Sequence, residues 1–391
     1  MTTLRTSFPL SLFSKNTTAY RDYIEQLAGV ADIKINGDRP WDIRVHDERT
    51  YQRIISHGSL GAGEAYMQGW WDCESLDEMF TRILATGINE AVETRGVLKL
   101  VIAARLQNLQ TPKRSVDVAQ KHYNISPNLY ASMLDQRMIY SCGYWANATT
   151  LNEAQEHKLD LVCRKLRLEP GMEVLDIGCG WGGAAKFAAE RYGVKVTGIT
   201  ISSEQGATAK AVCKGLPVDI VIDDYRSLSG KYDAIFSIGM FEHVGYKNYA
   251  TYFDVVSRLL KPDGLFLLHS IGTNLSVTMT DPWIERYIFP NSMLPSAAQI
   301  TAAYEKKFVM EDWHNFGPDY DTTLMQWHKN FVEAWDNGFA DEYSDEYDDE
   351  FFRMWNYYLL SSAGSFRSRA NQLWQILFSA NGIRGGLESV R

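Results

Sequence analysis

Short apolar runs alternate with helix-spaced segments through the central part of the chain. Val174, Leu175 and Ile177 form one such run and predict a strand over 173–177. Further strands are expected at 195–201, 218–222, 233–238 and 264–269, because each is brief, rich in β-branched residues and bounded by turn formers. Helices fall between them. One covers 249–260 and is stopped by Lys261-Pro262-Asp263-Gly264. Two late strands, near 308–315 and 373–378, complete the set. Strands alternating with helices predict an α/β fold with a mostly parallel sheet, whose ligands bind at the C-terminal strand ends. The first hundred residues read as mostly helical, with a turn-rich, aromatic stretch from Gly58 to Asp72.

Composition narrows the picture. A chain of 391 residues exceeds one typical domain, so two are expected. Pro112 among polar residues marks the boundary, giving an N-terminal domain at 1–110, a linker at 111–118 and a second domain at 119–391. No apolar run reaches the length of a membrane span. The apolar 8–13 segment is too short for a signal peptide. Five unevenly spaced cysteines suggest reduced thiols and neither a disulfide frame nor a metal site. A net charge of −9 argues against a nucleic-acid binder. One local exception is 94–116, which holds Arg95, Lys99, Arg105, Lys113 and Arg114 and no acid. Its apolar positions have helical spacing. Both a membrane-surface helix and a packing helix with a solvated basic face fit that pattern. The acidic tract 341–350 reads as solvated surface.

The strand at 173–177 ends on Gly178, Gly180, Gly182 and Gly183, and a helix-like segment follows. Glycines let a ligand approach bare backbone, and the helix end offers unpaired N–H groups. Gly178, Gly180 and Gly183 fit the dinucleotide pattern G-x-G-x-x-G. A nicotinamide enzyme would also carry an acid at the end of the next strand, but that strand ends on Thr200 and Ser202. Asp176 stands before the glycines instead. The D-x-G-x-G pattern resembles motif I of class I S-adenosylmethionine (SAM) methyltransferases, in which the early Asp orients the turn and the methyl donor's amino group. Thr200 and Gln205 would stand in for the absent second-strand acid.

Further motifs extend the resemblance. Tyr140-Ser-Cys-Gly-Tyr-Trp145, Leu175-Asp-Ile-Gly-Cys-Gly-Trp-Gly-Gly183, Phe241-Glu-His-Val-Gly245 and Asp312-Trp-His-Asn-Phe-Gly317 occur in this order. Together they resemble the cyclopropane-fatty-acyl-phospholipid synthase family, which includes the mycolic acid cyclopropane synthases. Gly63-Glu-Ala-Tyr-Met-Gln-Gly-Trp-Trp71 is similar to the extra domain of the bacterial phospholipid enzymes. The resemblance implies a Rossmann-like, seven-stranded class I methyltransferase sheet. It implies a smaller lipid-associated N-terminal domain, a homodimer, and a cytoplasmic location at the inner membrane surface.

It also implies a reaction. The SAM methyl is attacked by a cis double bond of a phospholipid acyl chain, and loss of a proton closes a cyclopropane ring. An alkene is a weak nucleophile, so orientation must supply much of the rate. The cationic intermediate needs a dry site, which aromatic faces can line without reacting. Tyr140, Tyr144, Trp145, Phe241, Tyr287, Phe316 and Tyr320 are candidates, set against a role as plain core. In the family a bicarbonate ion is thought to take the proton. The resemblance places its cage at Cys142, Glu242, His269, the backbone of Ile271, and Tyr320. Glu242 beside an anion requires a shared or added proton. The donor site maps to Tyr140, Ser141, Asp176, Gly178, Gly180, Thr200, Ser202, Gln205, Asp224 and Tyr225, with Asp223 an alternative to Asp224. Some relatives carry a cysteine where Ser361 and Ser362 stand. A methyl-branched or methylene chain or another methylated small molecule, a catalytically idle SAM-binding or lipid-binding protein, and a nicotinamide oxidoreductase are the competing readings.

Overall fold

Val174, Leu175 and Ile177 do become a strand, and in the computed structural model it lies inside a seven-stranded sheet. The structure describes residues 17–88, 127–343 and 346–391. The basic stretch 94–116 and the expected linker 111–118 lie outside them. In chain order the first elements are α1 (Thr17–Val30), β1 (Arg44–Val45), α2 (Arg49–Met67), β2 (Trp71–Asp72) and α3 (Leu76–Thr86). Then come α4 (Pro127–Met133), α5 (Leu151–Lys165), β3 (Glu173–Ile177), α6 (Gly183–Tyr192), β4 (Lys195–Thr200), α7 (Ser203–Val212) and β5 (Val218–Ile222). β6 (Tyr232–Ile238), α8 (Tyr249–Leu259), β7 (Leu260–Thr273), α9 (Pro282–Tyr287), α10 (Ala297–Tyr304) and β8 (Val309–Asn315) follow. The last are α11 (Pro318–Asp336), α12 (Phe339–Glu342), α13 (Asp349–Arg367) and β9 (Asn371–Ser379).

The sheet runs β5-β4-β3-β6-β7-β9-β8. The first five strands are parallel, and β9 enters antiparallel between β7 and β8. Every strand expected from the sequence is present. The fold is that of an α/β protein with a mostly parallel sheet. One departure is that 261–263, expected only to stop a helix, already belong to β7.

Side-chain alternation sends successive residues to opposite faces, and each face has its own core. Leu175, Ile177, Ile235, Phe266 and Leu268 pack with Phe253 and Val256 of α8. Val174, Ala234, Phe236 and Leu267 pack with Leu159 and Val162 of α5 and Ala185 and Ala188 of α6. Burying each such aliphatic side chain is worth about 1.5–3 kcal/mol, so the two cores hold the strand ends in place. By parity, Asp176 and His269 share the α5 face with Val174 and Leu267.

The chain forms two compact units. The first contains the described residues up to 88 together with 281–288 and 335–370; the second contains the sheet. The 119–391 span read as one domain therefore gives two segments to the first unit. Within that unit α13 packs on α2 and α3. Arg353 donates to the carbonyls of Tyr66 and Trp71 and to Asp72 at 2.6–3.0 Å. Glu64 is buried, pairs with Arg53 and accepts from the Tyr287 hydroxyl at 3.0 Å. Gly63 leaves room for the Trp283 indole, which a Cβ there would strike.

Candidate active site

Three of the four turn glycines have left-handed backbone: φ is 90° at Gly178, 52° at Gly180 and 87° at Gly182. The turn is anchored by the Gly178 and Cys179 amides, which both donate to the Ile199 carbonyl at 2.9 and 3.0 Å. A Cβ on Gly178 would lie 2.7 Å from Met240. One on Gly180 would meet nothing within 4 Å, so the space beside it is open. Asp176 is buried beneath the turn. Burial pushes its carboxyl well above the usual range, and Lys158 pulls it partly back. Its Oδ2 has no hydrogen-bond partner.

At the neighbouring strand ends, the residues expected to bind the methyl donor are engaged with one another. Thr200 donates to Gln205 Oε1 at 3.2 Å. Ser202 caps α7 by accepting from the Gln205 amide. Thr200 and Gln205 therefore meet where a second-strand acid would stand. The Asp224 carboxylate is held by the Arg226 guanidinium at 2.6 and 2.8 Å and by the Arg226 amide. Asp223 accepts from the Ser227 hydroxyl and the Asp224 amide. Tyr225 rests 5.5 Å from the Tyr252 ring.

The Tyr140–Trp145 segment is clamped between α5 and α11. From α5, Gln155 donates to the Ser141 carbonyl and Lys158 donates to Ser141 Oγ, both at 2.8 Å. From α11, Thr323 accepts from the Gly143 amide at 3.1 Å and the Trp145 indole at 2.9 Å, and donates to the Asp319 carbonyl. Asp319 accepts from the Trp145 amide at 2.7 Å. These contacts bury Cys142 completely. Its Sγ lies 3.1 Å from the Gly143 carbonyl and 3.9 Å from Thr323 Oγ1. Burial raises its pKa well above the ordinary thiol value, so it stays a neutral, weak donor and not a nucleophile.

Glu242 follows β6 in a short 3-10 turn and is buried. Burial pushes its carboxyl up to about 7, against the pull of the Ile271 N–H. That N–H donates to Glu242 Oε1 at 2.7 Å. The Ile271 amide, expected in the anion cage, is thus engaged by Glu242, because β7 carries the amide alongside the turn that holds the acid. Glu242 Oε2 has no partner. His269, on β7, is buried, and burial first, then Lys158, Lys165 and His314, depress its pKa well below normal, so the ring is neutral. Gln375 Nε2 of β9 lies 3.3 Å from Nδ1; with that amide donating, the ring proton sits on Nε2, which is itself without a partner.

The aromatic candidates divide. Phe316 lies 5.9 Å from the His269 ring and 5.3 Å from Tyr144. Tyr140 and Tyr320 both flank Trp327, at 5.2 and 6.0 Å. The Trp145 indole is held on Thr323 of α11. Phe241 is fully buried and stacked on Tyr249 at 4.3 Å, a core residue. Tyr287 is bound to Glu64 in the first unit. Ser361 and Ser362 sit on α13, also assigned to that unit, where the Ser361 hydroxyl donates to the Tyr358 carbonyl.

Sequence reasoning missed Lys158, Thr323, Gln155 and Gln375. For Lys158 a signal existed. Leu151, Ala154, Gln155, Lys158, Leu159, Val162 and Lys165 form the buried stripe of α5, and a lysine in such a stripe is rarely buried without a reason. Among the described residues no helix is long and apolar enough to cross a membrane.

The chain matches known proteins over most of its length. Residues 110–376 match the family described as mycolic acid cyclopropane synthetase. It is 51% identical to the cyclopropane-fatty-acyl-phospholipid synthase of Escherichia coli over 94% of each chain. It is 33% identical to the tuberculostearic acid methyltransferase of Mycobacterium tuberculosis, covering 83% of this chain and 79% of that one. A cyclopropane synthase structure from Mycobacterium tuberculosis superposes with a TM-score of 0.62 at 28% identity, over 67% of this chain and 97% of that one.

Proposed function

The chain belongs to the mycolic acid cyclopropane synthetase family, and on that premise we propose how its residues carry out cyclopropanation of an unsaturated phospholipid acyl chain. It is a SAM-dependent methyltransferase of the cyclopropane-fatty-acyl-phospholipid synthase type. SAM, when bound, supplies the methyl group as a sulfonium leaving-group donor. The observation that carries the site reading is a set of three buried polar atoms without partners: Asp176 Oδ2, Glu242 Oε2 and His269 Nε2. They belong to the ends of the adjacent strands β3, β6 and β7. Buried polar atoms are normally satisfied, so three at one sheet end mark where polar ligands sit.

Asp176, the open backbone at Gly180 and the hydroxyl of Ser141 hold the donor, with Tyr140, Gly178, Thr200, Ser202, Gln205 and Tyr225 around it. The acyl chain lies against Tyr144, Trp145, Phe316 and Tyr320, whose ring faces stabilise positive charge without capturing it. A bicarbonate ion, when bound, supplies the base for ring closure. Its fit is favourable: neutral His269 Nε2 is a donor, Glu242 with its pKa raised to about 7 can carry a proton and donate rather than repel, and Cys142, whose S–H is given to the Gly143 carbonyl, adds a neutral wall. Tyr320 closes that group.

The enzyme meets its substrate at the cytoplasmic face of the membrane, aided by the basic 94–116 stretch, and acts as a homodimer. The charge pattern supports the first statement, and the family resemblance the second. Lys99→Glu with Arg105→Glu should lower co-sedimentation with anionic vesicles; unchanged binding would remove that stretch from the account. Light scattering at working concentration reports the dimer.

The decisive experiment incubates the protein with SAM and vesicles of cis-unsaturated phospholipid. Acyl chains that gain one CH2, lose the double bond and show cyclopropane proton resonances are expected. The likeness to the tuberculostearic acid methyltransferase favours a second outcome, a methyl-branched or methylene chain, which the same spectra distinguish.

A further inference from the structure

Lys158 is fully buried, yet nothing in the chemistry above uses it. An ammonium out of water is costly unless charge and hydrogen bonds compensate. One hydrogen bond is present, to Ser141 Oγ at 2.8 Å. The other compensation is electrostatic, from Asp135 and Asp176, while burial pulls the ammonium's pKa down. Asp135 has its own work, accepting from the Arg137 and Ile139 amides. Asp176 Oδ2 has none.

A hydroxyl has one proton to give and can accept twice. Because Ser141 Oγ accepts from Lys158, its own O–H is left as a donor. Lys158 also favours the ionised form of Asp176 against the pull of burial. The result is one hydroxyl donor and one carboxyl, raised by burial but drawn by the same ammonium toward its ionised, accepting form, both buried. That pair matches a carboxylate and an ammonium on one carbon. The geometry points to Lys158 as a positioning residue that readies Ser141 and Asp176 for the zwitterionic amino-acid end of the methyl donor. This rests on the donor site described under the proposed function.

Three ligands separate the possibilities by calorimetry on the full chain: SAM, S-adenosylhomocysteine, and 5′-methylthioadenosine, which lacks the amino-acid end. Wild type binds all three. Lys158→Met should weaken the first two by about tenfold or more, the scale of a charge-assisted contact, while methylthioadenosine binding stays within about twofold. KM for SAM should rise more than kcat falls. Equal binding of all three by Lys158→Met overturns the assignment, and so does equal loss of all three. Ser141→Ala guards against a Lys158→Met variant that fails to fold: it too should weaken S-adenosylhomocysteine and spare methylthioadenosine, and a loss shared by both ligands counts against the inference. Where both variants fold, their losses for S-adenosylhomocysteine should not add, since one hydrogen bond joins them; additive losses also count against it. Failure of wild type to bind S-adenosylhomocysteine would overturn the donor site itself.

Discussion

Glu242 shows how one buried acid can be tuned by its surroundings. Its carboxyl is raised to about 7 because burial outweighs the hydrogen bonds that oppose it, the Ile271 N–H first among them. An acid raised on folding binds its proton more tightly in the folded state. Its protonated form therefore favours the fold fully below the ordinary carboxyl range, and that contribution is lost as pH rises through about 7. Glu242→Gln mimics the protonated form at every pH. Thermal melts should show the variant gaining on wild type between pH 5 and 8, by up to about 3 kcal/mol, while turnover falls on the order of a hundredfold. A variant that keeps full turnover would remove Glu242 from the cage. Thr323 carries a different load. Its buried hydroxyl serves two N–H donors on the Tyr140–Trp145 segment, so Thr323→Val keeps the shape and strands both. A loss of about 1–3 kcal/mol is expected in urea unfolding, with a fall in activity that tracks misplacement of Cys142. Glu242 and Cys142 stood out in the sequence by motif. Thr323 did not, because its partners are 178 and 180 residues away.

At the scale of the element, the glycine turn separates two uses of one residue type. Gly178 has positive φ and would also drive a Cβ to 2.7 Å from Met240. Gly180 has positive φ but open space. Gly180→Ala should therefore cost about 1 kcal/mol of backbone strain and act chiefly on donor binding. Gly178→Ala adds a collision and should destabilise the sheet end by about 1–3 kcal/mol more. Chemical denaturation of the pair checks the order; equal stability would mean that Met240 yields freely. Apart from β7, the strands of the large sheet were legible to within about two residues, because short apolar runs flanked by turn formers leave few alternatives. The beginning of β7 was not. Pro262 and Gly264 read as punctuation, yet the pairings of Leu260 with Tyr232 and of Leu265 with Ala234 carry the strand across that segment as a bulge.

At the scale of the whole molecule, the first unit is assembled from three parts of the chain. Trp355, Tyr358 and Leu359 of α13 are buried, and α13 packs on α2 and α3. Arg353 binds backbone carbonyls of the Tyr66–Trp71 stretch. A fragment of residues 119–391 would keep α9 and α13 without the helices that cover them. It should bind the dye ANS and aggregate, whereas the full chain does not. A fragment that stays monomeric, with a sharp thermal transition, would show that these helices find cover elsewhere.

The sequence by itself determined the order of strands and helices, the turn that meets the methyl donor, and the motifs that carry Cys142 and Glu242. Those features are local, set by spacing, propensity and residue type within a few positions. Tertiary structure decided where distant groups meet. It gave the Ile271 amide to Glu242, committed Asp224 to Arg226, and sent Phe241 into the core. It also placed Lys158 in an apolar stripe beneath Ser141 and Asp176. Charge states and hydrogen-bond partners depend on neighbours brought together only by the fold, and no pattern along the chain encodes which neighbours those are.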